Sequence, residues 1–512
     1  MGDNLAAQKN PAQEIASGYA TEGAALELGS VIVDGVVDPT ARVRIPFATL
    51  NRHGLVAGAT GTGKTKTLQG IAEQLSNAGV PVLLADVKGA LSGMSRPGEP
   101  HDKITSRSAD TGDDWVPTAF PVEFLSLGGS SSAVPIRATI TQFGPILLSK
   151  VLDLNDTQES TLGLIFYWAD QRQLPLLDTK DLRAVIQHLT SDEGKADLEG
   201  IGGVSSATAG VILRALVNLE AAGGDDFFGE PEFEPADLLR VIDGKGAVTL
   251  LELADQATNP RLFSTFLMWL LAELYEELPE AGDLDKPKLV FFFDEAHLLF
   301  TGASKAFLER IEQTVKLIRS KGVGVFFCTQ LPTDVPNAVL SQLGARIQHA
   351  LRAFTPEDQT ALSKTVRTYP KTEYYDMEEA LTSLGTGEAI VTVLSERGAP
   401  TPVAWSRMRA PRSLMAAIGE DAVTAAAQSS PLFAKYGTTV DRESAYETLT
   451  AKIAAVPPPA DAPPPPPQEE RAEPSFVEKA FGSPAVRSFL RSAASALGRE
   501  ITRGMFGTRR RR

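Results

Sequence analysis

Short apolar runs recur along the chain, separated by stretches in which apolar residues repeat at helical spacing. The runs are rich in Val, Leu and Phe and are bounded by Gly, Pro or charged residues, which is typical of strands buried on both faces. They occupy residues 55–57, 81–86, 246–251, 288–294, 324–328, 346–351 and 388–394. Strands that alternate with helices predict an α/β fold with a mostly parallel, doubly wound sheet.

A change of period interrupts this alternation in the middle of the chain. From residue 144 to residue 242 the apolar positions follow helical spacing, and residues 156–159 have the form of a capping box. We therefore expect a helical insertion between a first part of the core, residues 28–143, and a second part, residues 243–410.

The start of the chain carries a weaker pattern. Residues 1–27 are rich in Ala, Gly and polar side chains, which predicts a flexible N-terminus. Residues 30–37 and 41–46 alternate in the manner of strands, and they predict a short β-pair that turns at Asp38-Pro39.

The end of the chain leaves the core pattern altogether. Residues 411–455 predict a weakly patterned helical extension, and residues 456–475 form a Pro-rich linker that is too stiff and too polar to pack. Residues 476–512 predict a basic amphipathic helix and tail, with nine Lys or Arg against two Glu. The expected architecture therefore ends in a disordered Pro-rich C-terminal tail.

Composition narrows the class of protein. The 512 residues are 43% apolar and 22% charged, which indicates a globular chain of two or three domains. One cysteine, Cys328, excludes an intrachain disulfide framework and a Cys-based zinc site. No apolar run approaches the length of a membrane span and the N-terminus does not resemble a secretion signal, so a cytoplasmic protein is expected.

The net charge of −15 is unevenly distributed, because residues 1–475 carry −22 and the tail +7. An acidic body is not typical of a protein that coats nucleic acid. It does not exclude a narrow basic pore, since net charge governs long-range association and not local sites.

The strongest chemical signal lies at residues 53–69, where an apolar strand, a glycine-rich turn and a helix start follow one another. Gly58, Gly63, Lys64 and Thr65 fit the P-loop pattern G-x-x-x-x-G-K-[ST]. Glycines let successive backbone N–H groups point at phosphate oxygens, and the start of the helix adds the positive end of its dipole. The predicted nucleotide-binding residues are Gly58, Ala59, Thr60, Gly61, Thr62, Gly63, Lys64, Thr65 and Lys66.

A second signal is the apolar run 289–293 that ends in Asp294-Glu295. A buried parallel strand delivers the residues at its carboxyl end to the crevice beside the P-loop. We therefore predict that Thr65 and Asp294 hold Mg²⁺ and that Glu295 polarises the attacking water. The alternative is a pair of strand-end carboxylates without a catalytic role.

Two further strand ends are candidates. Gln330 closes the run 324–328 and could sense the γ-phosphate or orient water, or it could only cap a turn before Pro332. Asp86 ends the run 81–86 and could assist metal and water, or it could only cap the turn with Lys88-Gly89.

Together these segments resemble a known family. NRHGLVAGATGTGKT at 51–65, ADVKG at 85–89, FDEAH at 293–297, GVGVFFCTQ at 322–330 and ARIQH at 345–349 are similar to the HerA/FtsK class of P-loop ATPases, and in particular to the bacterial YjgR-like HerA-type proteins. The resemblance covers roughly residues 25–410 and implies a RecA-like P-loop NTPase core that hydrolyses ATP with Mg²⁺.

The resemblance also implies assembly. Members of the class hydrolyse ATP between adjacent subunits of a homo-oligomeric ring, usually a hexamer, and the best-known members translocate double-stranded DNA. Their arginine finger, which acts in trans, corresponds by position to Arg319, with Lys321 as a weaker candidate. The alternative is that Arg319 has no catalytic role and is a solvated arginine near a helix C-terminus. Arg346 and Arg352 are candidates for further phosphate contacts.

Two functions therefore remain open at this point. The first is an ATP-hydrolysing hexameric motor that acts on double-stranded DNA as a helicase or translocase. The second is a nucleotide-switched scaffold that recruits a protein partner or a membrane surface through residues 456–512, without translocation. A small-molecule kinase or a GTPase is disfavoured, because about 230 residues separate Lys64 from Asp294 and the chain lacks an Asn-Lys-x-Asp guanine-binding sequence.

Overall fold

The computed structural model describes residues 10–86, 89–128, 132–198, 200–252, 260–282, 284–301, 303–395 and 397–455. Within these ranges the strands are β1 (Ala25–Val33), β2 (Val36–Pro46), β3 (Gly54–Ala57), β4 (Val82–Asp86), β5 (Val122–Leu127), β6 (Val134–Ile136), β7 (Val241–Ile242), β8 (Lys245–Gly246), β9 (Val248–Glu252), β10 (Leu289–Phe293), β11 (Val323–Thr329), β12 (Ala345–Gln348), β13 (Glu388–Val393) and β14 (Ala404–Met408).

The helices surround these strands in the sequence. They are α1 (Pro11–Ser17), α2 (Lys64–Asn77), α3 (Asp102–Thr111), α4 (Ile140–Val151), α5 (Asp156–Gln171), α6 (Thr179–Thr190), α7 (Asp192–Asp197), α8 (Ser206–Ala221), α9 (Pro260–Glu277), α10 (His297–Phe300), α11 (Lys305–Ile318), α12 (Asn337–Leu340), α13 (Pro356–Val366), α14 (Met377–Ser383), α15 (Glu420–Ser429), α16 (Pro431–Tyr436) and α17 (Ala445–Ala455).

One large sheet organises the described residues. Its strand order is β2-β1-β14-β13-β12-β3-β11-β10-β4-β9-β5-β6. The strands from β12 to β6 run parallel to one another, and β13, β14, β1 and β2 extend the sheet with antiparallel pairs. This arrangement confirms the predicted mostly parallel α/β fold. It also places β3, the strand that leads into the P-loop, between β11 and β12.

The centre of the sheet is apolar on both faces. Strands β10 and β11 are buried along their whole length, and the rings of Phe293 and Phe327 stack at 5.3 Å between centroids. A strand buried on both faces needs helices on either side, which explains its continuous run of Val and Phe. The carboxyl ends of β3, β10 and β11 meet at one edge as a result.

The predicted insertion, residues 144–242, contains most of α4 together with α5, α6, α7 and α8. Gly144 has φ 75° and interrupts α4 directly before Pro145, whose ring cannot continue a regular helix. Trp168 of α5 and Leu216 of α8 are buried in the same hydrophobic core as the sheet. These helices belong to the compact unit Met1–Ile453.

The start of the chain differs from the expectation of a flexible segment over residues 1–27. Residues 1–9 lie outside the described residues, but α1 follows with Asn10 as its N-cap, and Ile15 is fully buried. The hydroxyl of Tyr19 donates to the carbonyl of Val391 at 2.8 Å. Apolar residues spaced along an Ala-rich segment therefore anchor it to β13, a contact that local composition does not reveal.

The turn of the predicted β-pair is also in a different place. It lies at Asp34-Gly35, where both residues have positive φ, 50° and 75°. Asp-Gly accepts the two left-handed conformations of a tight hairpin turn, whereas Pro39 has a fixed negative φ and lies inside β2.

The remaining parts of the chain fall at its C-terminus. Helices α15, α16 and α17 lie within the predicted extension, residues 411–455. The predicted linker, residues 456–475, and the predicted basic helix and tail, residues 476–512, are outside the described residues. Among the helices that are described, none combines the length and the apolar character needed to cross a membrane.

Candidate nucleotide site

The P-loop connects the end of β3 to the start of α2. Gly58, Gly61 and Gly63 all have positive φ, at 150°, 81° and 119°, which side chains strongly disfavour. A Cβ on Gly58 would also lie 2.6 Å from the Cβ of His349. Two of the three glycines match the P-loop pattern, and the backbone conformation explains why glycine is required there.

Lys64, the first residue of α2, folds back over this loop. Its ammonium Nζ donates to the carbonyls of Gly58 at 2.6 Å and Ala59 at 3.2 Å. Those carbonyls belong to the first two residues of the loop, so the ammonium lies against the segment that the pattern predicts to bind phosphate. Thr65 follows at the exposed surface of the first turn.

Neighbouring strands hold the loop in this conformation. The amide of Gly58 donates to the carbonyl of Thr329 at 3.2 Å, and the amide of Ala59 donates to that of Ala350 at 2.8 Å. On the other side, the amide of Gly387 donates to the carbonyl of Thr62 at 2.9 Å. The loop is therefore fastened to segments that follow β11 and β12 and precede β13.

Asp294 and Glu295 follow β10 at the same edge of the sheet. Burial raises the pKa of Asp294, the Glu295 carboxylate beside it raises it further, and the nearby Lys64 ammonium acts in the opposite direction. Lys64 is thus within electrostatic reach of Asp294, as the prediction of a shared site requires. A partly buried carboxyl with a raised pKa is stabilised in its charged form when a cation binds it, which fits a metal ligand.

Glu295 adopts an uncommon backbone conformation for its residue type. Its φ is 48°, and its amide donates to the Oδ1 of Asp294 at 2.9 Å. One carboxylate oxygen of Glu295 lies 3.4 Å from Nδ1 of His297. Residues held in such sparsely populated backbone conformations cluster at functional sites.

The end of β11 supplies a thiol and an amide side chain. Cys328 is buried near Asp294, and burial followed by the negative charge of Asp294 raises the pKa of its thiol. Gln330 is exposed directly after the strand. The hydroxyl of Thr329 and the amide of Leu331 both donate to the Asp334 carboxylate, so the turn around Gln330 is anchored independently of its side chain. Its sensor role stays a prediction.

Asp86, at the end of β4, is 4% exposed and is engaged by its own turn. Its carboxylate oxygens accept from the amides of Ala90 at 3.1 Å and Leu91 at 2.7 Å. These contacts correspond to the capping alternative. Its proposed assistance to metal and water stays a prediction.

Lys66 points away from the loop. Its ammonium donates to the side chain of Gln69 and to the carbonyl of Met415, both at 3.1 Å. The backbone amide of Lys66 remains in the first turn of α2, where P-loops bind phosphate. The side chain, in contrast, connects α2 to the segment that follows β14.

Arg319 lies at the opposite edge of the sheet. It opens the 3₁₀ turn Arg319–Lys321 before β11, and it is exposed. The seven residues of β11 span about 20 Å, so Arg319 is separated from its own P-loop by the length of the strand. Lys321 is engaged elsewhere, with its ammonium 3.2 Å from a Glu280 carboxylate oxygen.

The two other arginine candidates, Arg346 and Arg352, differ in their position relative to the P-loop. Arg352 is exposed beside the P-loop and donates to the carbonyl of Thr60 at 3.4 Å. Arg346 pairs with Leu55 near the start of β3, and its guanidinium donates to the carbonyl of Thr368 at 3.0 Å. Only Arg352 is therefore placed at the loop.

Two residues near the site were not assigned a role from the sequence. His349, within the ARIQH segment, lies beneath the loop, and the sequence signal for it was only the resemblance of that segment. Glu252 ends β9 opposite Asp86, and burial followed by repulsion from Asp86 raises its pKa to about 7. The sequence feature that could have identified Glu252 is an apolar strand that ends in a carboxylate.

The residues present fit a nucleoside triphosphate with Mg²⁺. Positive-φ glycines leave room for phosphates, and Lys64 lies against the loop. The parallel register of β3, β11 and β10 brings Asp294 to the same edge of the sheet. Hydroxyl and carboxylate oxygens are the ligands that Mg²⁺ prefers, which Thr65 and Asp294 supply.

Comparison with known families agrees with this geometry. A family model described as helicase HerA-like C-terminal matches residues 34–512. The chain belongs to this HerA-like family. Family membership confirms the resemblance to the HerA/FtsK class and, together with the P-loop, makes this HerA-like chain a P-loop ATPase. Comparison with curated protein sequences finds no match.

Solved structures of similar fold include those of a bacterial conjugative coupling protein. Unbound TrwBdeltaN70 is 15% identical, with a TM-score of 0.51 over 79% of this chain and 94% of that one. Plasmid coupling protein TrwB in complex with ADP and Mg²⁺, and the same protein with the non-hydrolysable ATP analogue ADPNP, are each 15% identical with TM-scores of 0.52, covering 79% of this chain and 95% of theirs. At this identity the likeness establishes the fold.

Proposed function

We propose that this HerA-like ATPase is a motor that assembles as a homo-oligomeric ring, a hexamer, hydrolyses ATP between adjacent subunits, and acts on double-stranded DNA. The supporting observation is the position of Arg319. It is exposed at the edge of the sheet opposite Lys64, Asp294 and Glu295, so it can reach a triphosphate only in a neighbouring subunit.

Each residue of the site has a distinct part in this proposal. Lys64 leaves the loop carbonyls and binds the β- and γ-phosphates, while Thr65 and Asp294 hold Mg²⁺, which when bound shields phosphate charge. Glu295 orients the attacking water and accepts its proton. Gln330 senses the γ-phosphate from the next strand end.

Arg319 completes the site from the neighbour. A guanidinium that stabilises charge on the transferring phosphoryl group makes hydrolysis depend on the contact between subunits. Arg352, beside Thr60, contributes a further phosphate contact within the same subunit.

Mixing two inactive variants tests the shared site. Lys64→Ala should abolish ATP hydrolysis because the phosphate contact is lost, and Arg319→Ala should reduce it about 10³-fold. Mixed rings should regain activity, since an intact P-loop can meet an intact Arg319. Measuring steady-state ATPase rates across mixing ratios provides the check. The matched control is Arg310→Ala, since Arg310 is an exposed arginine on α11, the helix that precedes Arg319. An absence of complementation at every ratio would contradict action in trans.

Whether the motor acts on double-stranded DNA requires a separate experiment. ATPase activity should be stimulated by double-stranded DNA, and the stimulation should fall steeply as salt rises from 50 to 200 mM, because phosphate contacts release counterions. Mass measurement with and without nucleotide gives the ring size. If double-stranded DNA does not stimulate ATPase activity at any salt concentration, the result would instead favour the nucleotide-switched scaffold.

A further inference from the structure

His349 occupies the space directly beneath the P-loop. Its Cβ lies 2.6 Å from where a Cβ on Gly58 would be, and its ring carbon Cε1 lies 3.5 Å from where a Cβ on Gly63 would be. The backbone amide of His349 donates to the carbonyl of Ala57 at 2.7 Å. The side chain is fully buried. The imidazole is therefore enclosed between the two ends of the loop.

Both ring nitrogens of His349 are hydrogen-bonded. Nδ1 lies 2.8 Å from the carbonyl oxygen of Glu388, and Nε2 lies 3.0 Å from the hydroxyl of Thr67. A carbonyl can only accept, so Nδ1 carries the proton. In the neutral ring Nε2 then accepts from the Thr67 hydroxyl. Thr67 belongs to the first turn of α2, and its amide donates to the carbonyl of Gly63.

The surroundings keep this ring neutral. Burial lowers the pKa of His349 to about 4, and the Lys64 ammonium contributes in the same direction, although the Glu388 carbonyl opposes it. A cationic ring would place a second positive charge beneath the phosphate cradle. The neutral tautomer is the one that can accept from Thr67 and donate to Glu388 together.

Glu388, whose carbonyl accepts from His349, is held in place by hydrogen bonds to its side chain. Its carboxylate accepts from the indole Nε1 of Trp405 and from the guanidinium of Arg407, both at 3.0 Å. The preceding residue, Gly387, donates its amide to the carbonyl of Thr62 in the P-loop. The carbonyl that holds His349 thus belongs to a turn that also contacts the loop.

We propose that His349 is a positioning residue of the ATPase, whose neutral imidazole fastens the first turn of α2, through Thr67, to the Glu388 turn and so holds the P-loop in its phosphate-binding conformation. The inference rests on the nucleotide site proposed above. It assigns His349 no contact with substrate. Its effect is on nucleotide affinity, because the loop amides must be oriented before phosphate binds.

A double-mutant cycle tests the connection. Thr67→Val removes the hydroxyl, and His349→Asn keeps an amide near the Nδ1 position but is too short to accept from Thr67. Each variant should weaken binding of a non-hydrolysable ATP analogue about fivefold, as expected for the loss of one hydrogen bond. The double variant should be no weaker than either single one, because both remove the same bond. Thr67→Ser should bind like the unmodified protein.

His53 provides the matched control. It is also a buried histidine with both ring nitrogens bonded, to the carbonyl of Val315 at 2.8 Å and the amide of Val325 at 3.0 Å, but it lies at the opposite end of β3. His53→Asn should lower thermal stability and leave analogue affinity unchanged.

The outcomes separate this inference from the proposed site. Unchanged affinity in folded Thr67→Val and His349→Asn, or an equal loss of affinity in His53→Asn, would overturn the positioning role. ATP binding and turnover that survive Lys64→Ala would overturn the nucleotide site itself. The kinetic signature of positioning is a raised KM for ATP with kcat largely retained, since Asp294 and Glu295 are untouched.

Discussion

At the scale of single residues, adjacent carboxylates at one strand end differ in environment. Asp294 lies near the Lys64 ammonium, with its pKa raised by burial and by Glu295, whereas Glu295 lies beside His297. Separate environments permit separate roles, with Asp294 suited to a cation and Glu295 to a water.

Glu295→Gln therefore has a specific expected result. The amide preserves size and the backbone turn but cannot accept a proton, so ATP binding should be retained while kcat falls by about 10²–10⁴-fold. Analogue binding and single-turnover hydrolysis measure the two effects. Lys64→Ala, which should lose binding, is the contrasting control, and turnover within about twofold of the unmodified protein would remove Glu295 from the mechanism.

At the scale of elements, the P-loop helix is fastened to a segment far along the chain. The carboxylate of Glu73, in α2, accepts from the amides of Arg412 at 2.7 Å and Ser413 at 3.0 Å. Gln69 donates to the hydroxyl of Ser413 at 2.8 Å. The residues after β14 therefore hold the helix that carries Lys64.

Removing this contact should destabilise the fold. Glu73→Ala leaves the part-buried amide of Arg412 and the buried amide of Ser413 without an acceptor, and it should lower the free energy of unfolding by about 2–4 kcal/mol. Glu73→Gln retains one acceptor oxygen and should lower it less. Denaturant unfolding measures both. Glu309→Ala, at an exposed position of α11, is the control. Equal stability of Glu73→Ala and the control would show that α2 does not depend on this segment.

At the scale of the whole molecule, buried histidines and partly buried glutamates have opposite effects on the free energy of unfolding as pH changes. Burial lowers the pKa of both His53 and His349 to about 4. Because the unfolded chain takes up protons first, these groups reduce stability as pH falls from about 6.5 toward 4. Burial and neighbouring carboxylates instead raise the pKa of Glu232 and Glu273 to about 7.

The glutamates have a pH effect that can be isolated. Their raised pKa means that the stability contributed by the protonated form is complete below about 4.5 and is lost as pH rises through about 7. Glu273→Gln should therefore flatten the pH dependence between 5 and 7 and stabilise the fold at pH 8 by about 1 kcal/mol, allowing for partial exposure. Unfolding free energies measured across this range, with Glu309→Gln as the control, test the sign. A variant less stable than the unmodified protein at pH 8 would contradict it.

The sequence by itself determined the central strands of the sheet, where the P-loop lies and which carboxylates end a strand beside it. Glycines at positive φ, apolar runs and polar strand ends are properties of short windows, so the positions of Gly58, Lys64 and Asp294 could be identified locally. The ATPase class followed from the same windows.

Only the tertiary structure decided what these residues contact. The ring of His349 reaches Thr67 across 282 positions of the sequence, and Lys66 turns to Met415 across 349. The order of strands around β3, the anchoring of Tyr19 and the separation of Arg319 from its own P-loop likewise depend on distant segments meeting. Hydrogen bonds between residues far apart in the chain form only once the sheet is assembled. A pattern within a short stretch of sequence therefore cannot predict them.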